Sequence, residues 1–178
     1  GIAGYFNPDQ NYAENPKQNF HTLSRMINTM NHRGPDTYGH TIINSCCLAH
    51  TRLSIIDLEN GRQPMSYTKD GNTYYIVYNG EIYNYKEVKK TLLRKNYTFE
   101  TNSDTEVIIA AFCHYGPGFV KELNGIFAIA IYDSMRNTLY LYRDRFGVKP
   151  LYYTKTGDTL VFASRIDTLF EYPRVRPC

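Results

Sequence analysis

This sequence predicts a layered α+β fold in which a few amphipathic helices lie on antiparallel sheets. Three observations predict it. Aromatic and β-branched residues come in short runs between turn residues, with 17 Tyr, 9 Phe and no Trp among 178 residues, as expected of many strands that each bury one face. Helical periodicity is confined to three places. The hydrophobic share of 42% is enough for the core of one domain.

The elements follow in chain order. GIAGYF (1–6) alternates apolar with small residues from its first position and reads as a strand. Phe20, Leu23, Ile27 and Met30 fall at helical spacing. TYYIVYN (73–79) is a strand, and its Asn79 with Gly80 forms the strongest short hairpin signal. Tyr85, Val88 and Leu92 make a helical stripe behind Asn84, which reads as an N-cap with Glu87 three residues on. Val107, Ile108, Ala111 and Phe112 make another behind Ser103, with Glu106 completing a capping box. GIFAIAIYD (125–133), TLYLYRD (138–144), PLYYTK (150–155) and TLVFAS (159–164) are strands. SMRN (134–137) and TGD (156–158) read as hairpin turns between them, so the second half predicts an antiparallel meander. EYPRVRPC (171–178), rich in Pro and Arg, reads as the start of a linker. Repeats and low-complexity tracts are absent, so residues 1–178 form one domain.

Charge and composition exclude several functions. Twenty basic and 17 acidic residues are mixed along the chain, for a net charge of +3, so no basic stripe points to nucleic acid or an anionic membrane. No apolar run approaches the ~20 residues of a membrane span, and the start has no basic signal region, which predicts a soluble cytoplasmic protein. Cys46, Cys47, Cys113 and Cys178 show no pairing pattern and read as reduced thiols; adjacent Cys46 and Cys47 on a strand would face opposite ways. The five histidines are scattered, and no metal site is predicted.

Four polar stretches ask for chemistry: HRGPD (32–36), HTRLSIID (50–57), YNGEIYN (78–84) and SDTE (103–106). Each also has an ordinary structural reading as helix punctuation, salt bridge, hairpin or helix cap. Together they describe something more specific. Arg52 offers a bidentate fork for a carboxylate and Asp104 a partner for an ammonium, the two ends of an α-amino acid. Asn79 and Gly80 offer a side-chain amide and an unobstructed backbone N–H, the donors an oxyanion hole needs. Such a hole implies acyl transfer. No G-x-S-x-G nucleophile is present, which leaves a chain terminus whose α-amine acts as base for its own side chain.

GIAGYF, HRGPD, AHTRLSIID, GRQPM, VYNGEIYNY, TNSDTEVI, LNGIFAIAIYD, RDRFGVKPLYY and FAS occur in this order over nearly the whole chain. In this it resembles the class II glutamine amidotransferase domain, an N-terminal-nucleophile hydrolase, and specifically the glutaminase domain of glutamine-hydrolysing asparagine synthetases. The resemblance implies a four-layer αββα sandwich that hydrolyses glutamine to glutamate and ammonia. It implies that Arg52 holds the substrate carboxylate and Asp104 its ammonium, that Leu53, Ile55 and Glu81 complete the pocket, and that Asn79 and Gly80 form the oxyanion hole. The family nucleophile is a cysteine directly before the GIAG strand, and none of the four cysteines here occupies that place. Without it, the same fold would bind glutamine or a partner without turnover. The resemblance further implies no cofactor for this domain, with ATP and Mg on a synthetase domain in the same or another chain, and is compatible with a homodimer. The S-G-G-x-D-S phosphate loop of that synthetase domain does not occur in these residues. Arg165 in FASR stands where the family usually has an acid, which predicts an altered contact with that domain.

Overall fold

The computed structural model describes residues 1–30, 37–52 and 61–177. Among them, two antiparallel sheets are formed. The first contains β1 (Ile2–Phe6), β2 (Thr37–Ile43), β3 (Cys46–Arg52), β8 (Tyr152–Thr156) and β9 (Thr159–Ala163) in the order β2-β3-β1-β9-β8. The second contains β4 (Met65–Lys69), β5 (Asn72–Ile82), β6 (Gly125–Asp133) and β7 (Thr138–Arg143) in chain order. The helices are α1 (Pro16–Met30), α2 (Tyr85–Leu93), α3 (Asp104–Tyr115) and the short α4 (Ile166–Leu169).

The period of two along each strand sorts side chains into three cores. Ala3, Tyr5, Cys47, Ala49 and Val161 face outward from the first sheet onto Leu23, Met26 and Ile27 of α1. Tyr78, Ile129 and Ile131 face outward from the second onto Val88 and Leu92 of α2 and the buried body of α3. Between the sheets, Ile2, Cys46, Leu48 and Phe162 meet Val77, Ala128, Ala130 and Tyr132. Cys46 and Cys47 therefore split across the sheet as expected, both free thiols. The layers run helix, sheet, sheet, helix, the predicted αββα sandwich. Burying each large apolar side chain of these cores contributes about 1.5–3 kcal/mol.

Five local expectations are corrected. Asn79 and Gly80 make no hairpin: they lie inside β5, opposite Ala128 and Phe127 of β6. The meander is split, because β6 and β7 pair in the second sheet while β8 and β9 pair in the first. The crossing segment is pinned by Asp144, whose carboxylate accepts from the backbone N–H of Phe127, Phe146, Val148 and Lys149 at 3.0–3.3 Å. Asn84 sits at the N-cap of α2 but gives it no side-chain bond; its amide instead donates to Glu122 O and accepts from Asn124 N–H. The capping box of α3 is half realised. Ser103 Oγ accepts from Thr105 N–H at 3.1 Å, whereas buried Glu106 turns to the N–H groups of Glu100 and Thr101. Phe20, on the predicted apolar stripe of α1, lies at its rim against His40.

Candidate active site

Among the described residues, the predicted site residues Arg52, Asn79, Gly80, Glu81 and Asp104 lie at one end of the sandwich. In the first sheet, Ile2 of β1 is opposite His50 of β3. The Gly1 nitrogen donates to Thr51 O at 2.7 Å and Thr51 Oγ1 at 3.1 Å, and Thr51 N–H returns a bond to Gly1 O at 2.9 Å. One step further in this register, a residue preceding Gly1 falls opposite Arg52. Alternation along β3 puts Arg52 on the same face as Cys46, Leu48 and His50, the face turned toward the second sheet. Gly61 marks where its guanidinium ends. A Cβ built there would stand 3.1 Å from Arg52 Nη1 and 3.7 Å from Ser103 Oγ, so Arg52 reaches across the sandwich to the head of α3.

Asp104, the first residue of α3, is bound to the second sheet. Its Oδ2 accepts from the Tyr78 hydroxyl at 2.8 Å and from Ile82 N–H at 3.4 Å. Burial pushes its carboxyl above the ordinary value, against the hydrogen bonds from Tyr78, Ile82 and the helix head that favour the anion. A cation arriving beside this half-desolvated carboxylate meets an unscreened charge. Arg52 and Asp104 thus present opposite charges from the two sheets toward a common space, as an α-amino acid requires.

The oxyanion candidates lie on an open edge of β5. β4 pairs with β5 only as far as Met65 opposite Ile76. Beyond that, Tyr78, Gly80 and Ile82 turn their N–H groups toward the vacated side. Gln63 Oε1 takes the first at 2.6 Å and Asp104 takes the third. Gly80 N–H stands between them. β6 does not engage it, because Phe127 turns both its N–H and its C=O to Asp144. Gly80 has φ of +154°, and a Cβ there would collide with Ile126 O and stand 2.8 Å from Phe127 Cα; only glycine fits. Asn79 alternates to the inner face, that of Val77, so its amide and the Gly80 N–H border the same corner. Glu81 also faces inward by alternation and is exposed.

Two further groups shape this corner. His50 is buried; burial first, then the charges of Gly1 and Arg52, lower its pKa to about 3, with the nearby Tyr78 backbone opposing them. Its imidazole is uncharged at any ordinary pH. At the head of β1, burial and then the charge of Lys149 disfavour a positive charge at the Gly1 nitrogen.

The sequence groups Arg52, Asn79, Gly80 and Asp104 as one candidate pocket, and the fold places all four at this end of the sandwich; His50 and Gln63 lie inside its motifs with no task assigned by the sequence. Leu53, Ile55, the HRGPD stretch and Cys178 lie outside the described residues. Among the described residues no cluster of His, Cys, Asp and Glu is built to hold a metal ion, and no helix is long and apolar enough to cross a membrane.

With this two-sheet sandwich and its candidate pocket described, the class follows from the sequence itself: the model of the glutamine amidotransferase domain matches residues 1–177. The chain belongs to that family. It is 39% identical over 176 residues to asparagine synthetase [glutamine-hydrolyzing] 3 of Bacillus subtilis, a match that covers 99% of this chain and 28% of that protein. It is 42% identical over 141 residues to asparagine synthetase B [glutamine-hydrolyzing] of Escherichia coli, covering 78% of this chain and 24% of that one. The chain therefore spans about a quarter of the length of these relatives. Among solved structures, glutamine phosphoribosylpyrophosphate amidotransferase of B. subtilis superposes with a TM-score of 0.74 at 18% identity, over 95% of this chain and 42% of that one, a likeness of fold. Arg165, in place of the family's usual acid, forks onto Asp167 at 2.9 and 2.6 Å; the pair is exposed and adds little stability.

Proposed function

We propose that this glutamine amidotransferase domain hydrolyses glutamine to glutamate and ammonia, and that the ammonia passes to an activated aspartate on a synthetase domain. The observation that carries the reading is the convergence of Arg52, Asp104, Asn79 and Gly80 on the place where the register sets a residue preceding Gly1. That residue is a cysteine in this reading. Arg52 grips the α-carboxylate and Asp104 the α-ammonium, with Glu81 and the segment containing Leu53 and Ile55 closing the pocket.

The α-amine takes the thiol proton, and the thiolate sulfur forms a bond to the carboxamide carbon. The carbonyl oxygen becomes an oxyanion between Asn79 and the Gly80 N–H. Collapse breaks the C–N bond, the leaving nitrogen takes the proton from the ammonium, and ammonia departs. Water then adds to the thioester, releasing glutamate and restoring the thiol. This half needs no cofactor in this reading; ATP and Mg serve a synthetase domain, for which the extra length of the relatives leaves room. A cytoplasmic location suits both halves.

The test is intact-mass determination of the mature protein's N-terminal residue, followed by measurement of glutamate release from glutamine. A cysteine before Gly1 and glutamate release are expected. A verified N-terminal cysteine without glutamate release would overturn the reading.

A further inference from the structure

We propose that Gln63 is a positioning residue that holds the oxyanion edge of β5 in shape; the inference rests on the function proposed above and deepens it. The β4–β5 register, with Met65 opposite Ile76, would set Gln63 opposite Tyr78. The main chain does not follow that register. Pro64 has no N–H to give a ladder, and the Gln63 carbonyl is turned onto β2, where Gly39 admits it; a Cβ at Gly39 would collide with Gln63 O and stand 3.2 Å from Pro64 Cδ.

The side chain of Gln63 takes over where its backbone has left. Its Oε1 accepts from Tyr78 N–H at 2.6 Å, and its Nε2 donates to Thr105 Oγ1 in α3 at 3.3 Å. Only this amide orientation suits both partners, since a backbone N–H cannot accept. The Tyr78 hydroxyl is also bonded to Asp104. The residue immediately before Asn79 is thus fixed from α3 and, through Gln63, from the β2 side at once.

The consequence is a strand edge that is open yet ordered. Had β4 continued, the edge would be occupied by main chain and the Gly80 N–H would have no room for a ligand. Had β4 simply stopped, Tyr78 N–H would be an unpaired donor and the Tyr78–Gly80 segment would be free to twist. A side-chain amide supplies one acceptor at Tyr78 and leaves Gly80 clear. Donors aimed at a developing charge stabilise it only when held in place beforehand, so Gln63 acts on kcat through Asn79 and Gly80 without touching substrate.

The test uses the full-length protein with its N-terminal residue verified. Gln63→Met keeps the length of the side chain and removes both hydrogen-bonding atoms. Gln63→Glu keeps the acceptor for Tyr78 N–H, and Thr105 can turn its hydroxyl to donate. For Gln63→Met, kcat for glutamine hydrolysis is expected to fall roughly 10- to 100-fold with KM within about threefold, and Gln63→Glu to recover most of it. In an Asn79→Ala background the Gln63→Met loss should shrink, since two residues acting through one hole are not additive. Hydrogen exchange at the Tyr78 amide, read without any turnover, should quicken about tenfold in Gln63→Met. Unchanged exchange, unchanged kcat in a folded variant, or full additivity with Asn79→Ala would each overturn the proposal. Quickened exchange in a parent protein that releases no glutamate would support the clamp and sink the glutaminase reading instead.

Discussion

Lowering the pH from 7 to 5 should destabilise the fold by about 2 kcal/mol through His50 alone. The imidazole is 7% exposed and held at about 3 by burial, then by the charges of Gly1 and Arg52, against about 6.5 in the unfolded chain. A base whose folded pKa is lowered binds its proton more readily when unfolded. Stability from this site is therefore whole above about 6.5 and is lost progressively as the pH falls toward the folded value. At pH 5 the unfolded chain carries nearly one proton here and the folded chain almost none. The difference is about 1.5 pH units below the unfolded value, at roughly 1.4 kcal/mol per unit. Urea unfolding followed by far-UV circular dichroism at pH 7, 6 and 5 measures it, with His50→Gln as the control that keeps an N–H donor and removes the titration. The parent should lose about 2 kcal/mol more than the variant between pH 7 and 5. Asp104, whose carboxyl is raised by burial, titrates in the opposite sense and cancels between the two proteins. Equal pH slopes in parent and variant would refute the claim that His50 is buried uncharged.

Arg52→Ala should raise KM for glutamine by roughly 30- to 1,000-fold, about 2–4 kcal/mol of carboxylate binding shared by ground and transition states, and Arg52→Lys should recover part of it because a point charge lacks the fork; an unchanged KM would remove Arg52 from the pocket. Asn79→Asp sets a negative charge against the oxyanion, so kcat should fall about 10²- to 10³-fold with melting temperature little changed, whereas wild-type turnover would leave Asn79 a purely structural strand residue. Asp144 lies below its ordinary pKa: burial raises it, and the N–H groups of Lys149, Val148, Phe127 and Phe146 outweigh that. Its contribution is present above about pH 3.9, the unfolded value, and is lost as the pH falls through the folded one. Asp144→Asn should lower the melting temperature at pH 7 by roughly 5–10 °C, a gap that narrows toward pH 3; a gap independent of pH would refute the carboxylate's role.

The alternation in TYYIVYN and GIFAIAIYD was legible because it depends on neighbours one and two residues away. So were the helices behind Ser103 and Asn84. The failures have a common cause in long-range partners. Asn-Gly looks like a turn until β6 is placed beside it, where Gly80 is required by the approach of Ile126 O. The hairpins through SMRN and TGD were readable, but the crossing between them, pinned by Asp144 drawing together amides from Phe127 and Lys149, depends on partners far apart in the chain. Asn84 has the right residue type for a cap and spends its amide on Glu122 and Asn124, some 40 positions away. In the site, charge complementarity named Arg52 and Asp104. Gln63 escaped notice because a glutamine beside a proline carries no charge pattern, and its only signal was the abrupt end of a strand.

The corner that holds these residues is assembled from two plates. Arg52 belongs to one sheet, Asn79 and Gly80 to the other, with Asp104 on the helix packed behind it, and the layer joining the sheets sets Cys46, Val77, Ala128 and Ala130 among the larger Ile2, Leu48, Phe162 and Tyr132. Any sliding of one plate over the other changes the gap between the carboxylate grip and the oxyanion edge. A substrate held by both is a strut across that gap. A substrate held on both sides would brace the sandwich against shear, and a molecule too short to span the gap would be gripped on one side only.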